Sequence, residues 1–190
     1  KDGTEADLDL GNYERFLDVT LSNCHSITSG KIYSAVIEKE RKGDYLGSTV
    51  QMVPHLTDYI QEQLLKASKM EINGKTPDIC LVELGGSIGD LEGLVFCEAI
   101  AQLTRNILPD CDSCFVHLSY VPTIHGSEIK TKPTQHSIRT VRSMGIFPDF
   151  LILRMQHNIF KTADVEKVAR MCQMRTENIF ISPNSDTVYD

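Results

Sequence analysis

The sequence lacks several features that mark particular classes of protein. It has 19 Lys and Arg against 26 Asp and Glu, a net charge of −7, and therefore no excess of positive charge for binding nucleic acid through a broad basic face. It contains no run of 18 apolar residues that could span a membrane, and its first residues show neither region of a signal peptide. We therefore expect no nucleic-acid partner and no membrane partner, and any site for an anion must be local.

The six cysteines do not form the disulfide framework of a small secreted scaffold. Cys80 and Cys97 lie in apolar surroundings and are predicted to be small core residues. Cys111 and Cys114 form a CxxC pattern with His117 nearby, but a zinc site would need a fourth ligand. A strand follows this pattern, whereas a redox pair normally opens a helix. The cysteines therefore favour a cytoplasmic protein in which they bind no metal.

A phosphate-binding loop of the form G-x-x-x-x-G-K-[ST] is also missing. The run 29–31 (SGK) is followed by Ile32, and His25 stands where the first glycine would fall; the glycine-rich run 85–89 contains no lysine. We therefore expect a βα unit that carries this loop to precede the present residues. The 190 residues by themselves are then expected not to hydrolyse ATP.

Strands and helices alternate in the second half of the chain, and its 190 residues predict one domain with a sizeable core. Apolar runs predict strands at 50–53, 78–84, 115–121, 149–154 and 178–182. Helical spacing of apolar residues predicts helices at 31–42, 57–69, 92–107, after Pro133 and around 164–174. Continuous apolar strands joined by helices are typical of a doubly wound α/β fold with a parallel sheet.

Lys130 and Lys132, in the run KTKPTQ (130–135), predict a local site for a phosphate-rich anion. Two residues apart, they would project from one face of an extended segment, and Pro133 favours an extended residue before it. After Pro133 the pattern becomes helical, so both ammonium groups would lie beside a helix N-terminus, whose free N–H groups attract anions. A solvated basic loop is the alternative interpretation of this run.

Two acidic segments far apart in the sequence form a second candidate site. Asp7 and Asp9 alternate with leucines and would share one face, while Glu83 ends a predicted strand ahead of three glycines. Ligands of such sheets bind at the carboxyl ends of the strands. Taken singly, Asp9 and Glu83 are interpreted as structural carboxylates in a salt bridge or a cap. Taken with the lysines, they suggest a Mg²⁺ ion shared between phosphates.

Four runs in order along the chain carry a resemblance to a known family: DLDLGNYERF (7–16), TSGKIYSAVIEKERKGDYLGSTVQMVPHLTD (28–58), LVELGGSIGDLEG (81–93) and KTKPTQHS (130–137). They resemble the amidoligase domain of the CTP synthases, and the resemblance covers nearly the whole chain. It implies a mainly parallel, doubly wound fold of the P-loop NTPase-like, dethiobiotin synthetase-like type. Residues 1–190 would then be part of one amidoligase domain, truncated at its N-terminus.

The resemblance also implies a reaction. ATP would phosphorylate the 4-oxygen of UTP with the help of Mg²⁺, and ammonia would displace the phosphate to give CTP. The ammonia would come from glutamine, hydrolysed by an amidotransferase domain C-terminal to the ligase domain. CTP would act as a feedback inhibitor, and the protein would form a homo-oligomer, either a dimer or a tetramer.

Site residues follow from the resemblance position by position. Asp9 and Glu83 resemble the two Mg²⁺ ligands, and His55 resembles a catalytic histidine near the phosphoryl-transfer site, with a structural role as its alternative. The residues expected at ATP are Asp9, Asn184 and Ser185. Those expected at UTP or CTP are Asp90, Leu91, Glu92, Lys130, Thr131, Lys132, Pro133, Thr134, Gln135 and Lys167. The sequence departs from the family pattern at 183–185, and Ser87 replaces a commoner threonine.

Two other functions are compatible with these patterns. The chain could belong to a different P-loop ATPase that forms amide bonds, an alternative against which KTKPTQ and GDYLG (43–47) argue. It could also be a non-catalytic module for oligomerisation and CTP sensing. Binding of UTP discriminates against the first alternative, and the presence of residues N-terminal to Lys1 in the expressed protein discriminates against the second.

Overall fold

The computed structural model describes residues 6–124, 128–157 and 160–187. By its internal contacts the chain divides into two compact units. Unit 1 comprises Lys1–Gly86 and Leu91–Ile100, and unit 2 comprises Ser87–Asp90 and Ala101–Asp190. The predicted single domain therefore consists of two units, each with a hydrophobic cluster of its own.

The regular elements of the described residues are six α-helices and five β-strands. The helices are α1 (Asp9–Leu17), α2 (Ser29–Lys42), α3 (Thr57–Ser68), α4 (Leu91–Gln102), α5 (Lys132–Ser143) and α6 (Thr162–Cys172). The strands are β1 (Val116–Tyr120), β2 (Thr123–Ile124), β3 (Glu128–Ile129), β4 (Phe150–Met155) and β5 (Ile179–Pro183). None of these helices combines the length and the apolar character that a membrane crossing requires.

Unit 1 is helical, and its core lies among α2, α3 and α4. Helix α2 begins where the Thr28 side chain accepts the N–H of Lys31 (3.4 Å) and ends at Gly43, whose φ of 84° suits a residue without a Cβ. The buried side chains of this core are Ile32, Val36, Leu56, Ile60 and Ala99. The predicted helices at 31–42 and 57–69 are thereby confirmed.

Unit 2 contains a parallel three-stranded sheet in the order β1-β4-β5. Helix α5 connects β1 to β4, and α6 connects β4 to β5. Because both crossovers move across the sheet in the same direction and share one hand, they place both helices on the same face. The cluster between sheet and helices contains Val121, Ile138, Leu151, Leu153, Val168, Ala169, Cys172 and Ile179. The predicted parallel α/β fold is confirmed, as are the strands near 115–121, 149–154 and 178–182.

The strand predicted at 78–84 is not formed. Residues 79–85 have no regular structure, and Ile79, Leu81 and Val82 are 77%, 81% and 53% exposed. An apolar run becomes a strand only when a neighbouring strand pairs with its N–H and C=O groups. For the same reason Cys80, predicted to lie in the core, is exposed, whereas Cys97 is buried as predicted.

Two shorter predictions of extended structure were also wrong. The run predicted as a strand at 50–53 leads into a helical turn, Met52–Leu56. Asp7 and Asp9 do not alternate along a strand, because α1 begins at Asp9 and the Asp7 carboxylate accepts the Asp9 N–H (3.0 Å). Three or four alternating residues do not distinguish a strand from the start of a helix, where an aspartate is also favoured.

Candidate functional site

Asp9 and Glu83, the predicted magnesium ligands, both lie in unit 1 and are connected through Tyr13. Asp9 begins α1, and Tyr13 follows it by four residues, so both side chains lie on the same side of the helix. The Tyr13 hydroxyl donates a hydrogen bond to Oε2 of Glu83. This bond joins residues 70 positions apart in the sequence.

The electrostatics of Tyr13 show that the two carboxylates act on one hydroxyl group. The hydrogen bond to Glu83, desolvation, and the negative charges of Glu83, Asp9 and Asp7 together raise the pKa of Tyr13 to about 12. The hydroxyl is therefore protonated at neutral pH and remains a donor.

The donor set of Asp9 and Glu83 fits Mg²⁺. Magnesium prefers oxygen ligands and is usually held by one or two carboxylates, with substrate phosphates and water completing its shell. The described residues contain no group of three or more His, Cys, Asp or Glu side chains arranged to hold a metal ion. Two carboxylates are nevertheless sufficient for an ion that reaches the protein together with a nucleotide.

The lysine segment lies in unit 2, at the point where the β2–β3 ribbon leads into α5. Ile129 pairs with Thr123 in this ribbon, and the Lys130 N–H donates to the Pro122 carbonyl (3.0 Å). Residues two apart on a strand share a face. The ammonium group of Lys130 accordingly forms an ion pair with Glu128.

The predicted extension through both lysines is wrong. Thr131 has helical angles (φ −90°, ψ −9°), and Lys132 is the first residue of α5. Pro133 then occupies the first turn of the helix, where its missing N–H leaves no hydrogen bond unmade. The bias of a residue before proline towards extension is therefore overridden here. Lys132 still lies at a helix N-terminus, as the anion-site prediction requires.

The rest of the segment is anchored to the sheet. Thr134 is fully buried, and its hydroxyl oxygen accepts a hydrogen bond from Ser119 of β1 (2.9 Å). Gln135 donates through its amide to the Thr131 hydroxyl (3.1 Å), and Thr131 is also buried. These contacts give Thr131 and Thr134 structural roles. The role of this segment at UTP or CTP, including that of Thr131, Pro133, Thr134 and Gln135, remains a prediction.

Sequence reasoning missed the polar face of β1, which supports this anchor. His117 and Ser119 are buried, and Nε2 of His117 lies 2.9 Å from the Ser137 hydroxyl of α5. Burial lowers the pKa of His117, so the neutral ring is favoured. The available signal was the placement of two polar residues at alternate positions of an otherwise apolar strand.

His55 has contacts that agree with its structural alternative. Its Nδ1 accepts the backbone N–H of Gln51 (2.9 Å), and its ring packs against Tyr45 with 4.6 Å between ring centroids. Both contacts hold the turn that precedes α3. The catalytic role of His55 remains a prediction.

The other nucleotide-binding candidates lie at loops and helix starts. Asn184 follows β5 and donates its N–H to the Met155 carbonyl (2.8 Å), and the Ser185 hydroxyl donates to the Thr187 carbonyl (2.7 Å). Lys167 is exposed on α6. The ATP-binding role of the first two residues and the UTP-binding role of Lys167 remain predictions.

Asp90, Leu91 and Glu92 are exposed and mark the start of α4. The preceding loop contains Gly89, whose φ is 102° and at which an added Cβ would lie 3.3 Å from the Thr140 side chain of α5. A glycine is therefore required there. Within unit 2, this loop contacts the same helix that begins with Lys132, about 12 Å further along its axis.

Comparison with known proteins agrees with these motifs. A family profile described as the CTP synthase N-terminus matches residues 1–190. Relatives named CTP synthase include a protein of Gibberella zeae, which is 50% identical over 99% of this chain and 32% of its own length. A protein of Caulobacter sp. is 47% identical over 99% of this chain and 34% of its own. A third, of Coprothermobacter proteolyticus, is 49% identical over 100% of this chain and 34% of its own.

The chain thus spans about a third of the length of the curated relatives it matches. The profile match extends over all of its residues, and the identity to each relative is far above the level at which a fold alone is shared. The chain belongs to the CTP synthase family and corresponds to its N-terminal part.

Proposed function

We propose that this chain is the ligase part of an enzyme that converts UTP to CTP, with ATP as co-substrate and ammonia as the nitrogen donor. The observation that carries the proposal is the position of Lys132 as the first residue of α5, with Lys130 just before it. Two ammonium groups and the free N–H groups of a helix N-terminus are a suitable arrangement for a nucleotide triphosphate. Family membership gives that triphosphate its identity, UTP or the inhibitor CTP.

The acidic pair of unit 1 would serve the other nucleotide. Asp9 and Glu83 would hold Mg²⁺ at the phosphates of ATP, and the ion, when bound, would neutralise charge on the phosphoryl group in transfer. Transfer to the 4-oxygen of the uracil needs positioning and charge compensation more than covalent help from the protein. Binding energy from the lysines, remote from the reacting carbon, would orient UTP.

The remaining parts of the proposal come from the family. Glutamine hydrolysed by an amidotransferase domain would supply the ammonia, and CTP would inhibit the enzyme by feedback. We also propose a cytoplasmic homo-oligomer, a dimer or a tetramer. The set of proposed contacts is completed by His55 near the transferred phosphoryl group, Asn184 and Ser185 near ATP, Asp90 to Glu92 near CTP, and Lys167 near UTP or CTP.

The test measures CTP formation and ATP consumption by the protein expressed from its complete coding sequence. With UTP, Mg²⁺ and either ammonia or glutamine, we expect one ATP consumed for each CTP formed. ATP use that does not depend on UTP, or no CTP at all, would overturn the proposal. Calorimetric titration with UTP separates a CTP-sensing module, which would bind nucleotide without turnover, from an enzyme for another acceptor, which would not bind UTP.

The isolated 190 residues provide a second measurement. We expect this polypeptide to show no UTP-dependent ATP consumption, because it contains no G-x-x-x-x-G-K-[ST] loop for the ATP phosphates. Measurable consumption by a polypeptide of verified mass would contradict that expectation.

A further inference from the structure

We propose that Tyr13 is a positioning residue that fixes the Glu83 carboxylate for metal binding, an inference that rests on the proposed magnesium site. Nothing in the sequence pattern pairs Tyr13 with Glu83. The pairing comes from the hydrogen bond that the Tyr13 hydroxyl donates to Oε2 of Glu83.

The backbone around Glu83 gives the first reason that such a residue is needed. Residues 79–85 belong to no helix or strand, and Glu83 is exposed. A glutamate on such a segment has three side-chain torsions to order, and ordering them opposes the binding of any ion. A fixed hydrogen bond to one oxygen reduces that loss before the metal arrives.

The support for Tyr13 is of the opposite kind. Tyr13 lies on α1, so its backbone is held by a regular helix. Its side chain has only two torsions, so few orientations of the hydroxyl have to be excluded. Asp9 lies one turn earlier on the same helix, which therefore presents one candidate ligand and the group that orients the other. A change in the position of α1 would move both together.

The chemistry of the hydroxyl suits this role. A tyrosine hydroxyl is neutral and donates one hydrogen bond, so it orients a carboxylate without cancelling the charge that attracts Mg²⁺. A lysine or arginine at the same place would compete with the metal as a counter-ion. The bond engages Oε2, and the other carboxylate oxygen of Glu83 would serve as the ligand of the ion. Partners of this kind, one step beyond the metal ligands, usually change metal affinity by 10- to 100-fold when they are removed.

The experiment compares Tyr13→Phe with Tyr33→Phe in the protein expressed from its complete coding sequence. Tyr33 is a matched control in unit 1, since it is 40% exposed against 37% for Tyr13 and its hydroxyl contacts the Met52 sulfur (3.9 Å) rather than a carboxylate. Mn²⁺ replaces Mg²⁺ as the probe, and electron paramagnetic resonance measures free Mn²⁺ in the presence of ATP.

We expect Tyr13→Phe to weaken Mn²⁺ binding about tenfold. The Mg²⁺ concentration for half-maximal turnover should rise by a similar factor, while kcat at saturating Mg²⁺ stays within about twofold of wild type. Tyr33→Phe should change neither quantity. The double variant Tyr13→Phe/Glu83→Gln should bind Mn²⁺ no more weakly than Glu83→Gln alone, because the hydroxyl acts through that carboxylate.

Three results would overturn the inference: unchanged Mn²⁺ binding in Tyr13→Phe, an equal loss in Tyr33→Phe, or additive losses in the double variant. The proposed magnesium site has a separate test. If Asp9→Asn and Glu83→Gln both bind Mn²⁺ like wild type, the metal assignment fails and the role of Tyr13 fails with it. If those two variants lose Mn²⁺ and Tyr13→Phe does not, only the role of Tyr13 is wrong.

Discussion

The acidic pair of unit 1 and the lysine segment of unit 2 are supported in different ways. Glu83 lies on an irregular, exposed segment and is held by one side-chain hydrogen bond from α1. The lysines precede and begin α5, a helix that is anchored to β1 through the buried pair Ser119 and Thr134. The position of a binding group on an exposed segment does not depend on the packing of the core, whereas the position of one on an anchored helix does.

This difference has a consequence for mutagenesis. Substitution of the acidic residues should change function with little effect on stability, because few of their contacts are buried. Substitution in the frame beneath the lysines should change stability and nucleotide affinity together. The following predictions test this contrast, beginning with the largest effect.

Asp9→Asn and Glu83→Gln should each lower turnover at least about a hundredfold, or roughly 2.7 kcal/mol of transition-state stabilisation. Both changes are nearly isosteric, and both remove a negative charge that Mg²⁺ would need. Thermal unfolding should change by no more than about 1 kcal/mol, the effect of a charge in the first turn of a helix. A large fall in stability with normal turnover per folded molecule would instead identify the carboxylates as structural.

Lys132→Ala and Lys130→Ala should weaken UTP and CTP together, by roughly 10- to 150-fold, because both nucleotides carry the same phosphates. We expect the larger loss for Lys132, since Lys130 is already paired with Glu128 in the free protein. ATP affinity should change little, and the losses should shrink at high salt. Lys66→Ala, on the exposed side of α3, is the control. Titrations at two salt concentrations decide the matter, and normal UTP and CTP binding by both variants would favour a solvated basic loop.

Ser119→Ala should destabilise unit 2 by about 1–3 kcal/mol, because the buried Thr134 hydroxyl loses its partner. The double variant Ser119→Ala/Thr134→Val should recover part of this loss, since neither polar group then remains. Ser143→Ala, which removes an exposed hydroxyl at the end of the same helix, is the control and should have little effect. Urea unfolding measures the stabilities, and UTP titration should show a loss of a few-fold in Ser119→Ala. If Ser119→Ala loses stability but binds UTP normally, the hydrogen bond between Ser119 and Thr134 does not support nucleotide binding by the lysines.

Preferential protonation of His117 in the unfolded chain should also lower the stability of the protein in acid. Because burial lowers the pKa of folded His117, the unfolded chain takes up the proton more readily. The wild type should therefore lose stability as the pH falls below about 6.5, the ordinary value for histidine, and retain it above. In His117→Gln the urea midpoint between pH 8 and pH 5 should fall less than in wild type. Equal slopes in both proteins would show that His117 does not contribute.

The sequence predicted those strands and helices that have both the expected pattern of apolar residues and a neighbouring element to pair or pack with. The strands at 115–121, 149–154 and 178–182 have apolar runs and neighbours in one parallel sheet, and helices α2 and α3 have both the helical spacing and a core to face. The run 78–84 has the same apolar pattern but pairs with no strand among the described residues. Pattern alone does not supply the backbone partner that a strand requires.

The candidate site was predictable in its residue types and less so in its contacts. Lys130, Lys132, Asp9 and Glu83 were identified from charge and spacing. The bond from Tyr13 to Glu83 was not, because no local rule links positions 70 residues apart. The ion pair of Lys130 with Glu128 follows from the two-residue period of a strand.

The smallest expected effect concerns that ion pair. Glu128 and a nucleotide phosphate would compete for the same ammonium group of Lys130. The side chains of Glu128 and Lys130 are 61% and 40% exposed, and exposed ion pairs usually contribute no more than about 1 kcal/mol to stability. Glu128→Gln should therefore strengthen the binding of UTP and CTP by only about twofold, and the gain should disappear at high salt.

The matched control for this change is Glu177→Gln. Glu177 pairs with Arg175 (4.0 Å) in the same unit, and both of these side chains are exposed. The control removes the same charge without freeing a lysine of the proposed site, so it isolates the local competition from the change in net charge. Calorimetric titration with UTP measures both variants. Equal affinities in the two variants would mean that Glu128 does not compete for Lys130. Weaker binding in Glu128→Gln would mean that Glu128 holds Lys130 in place for the nucleotide.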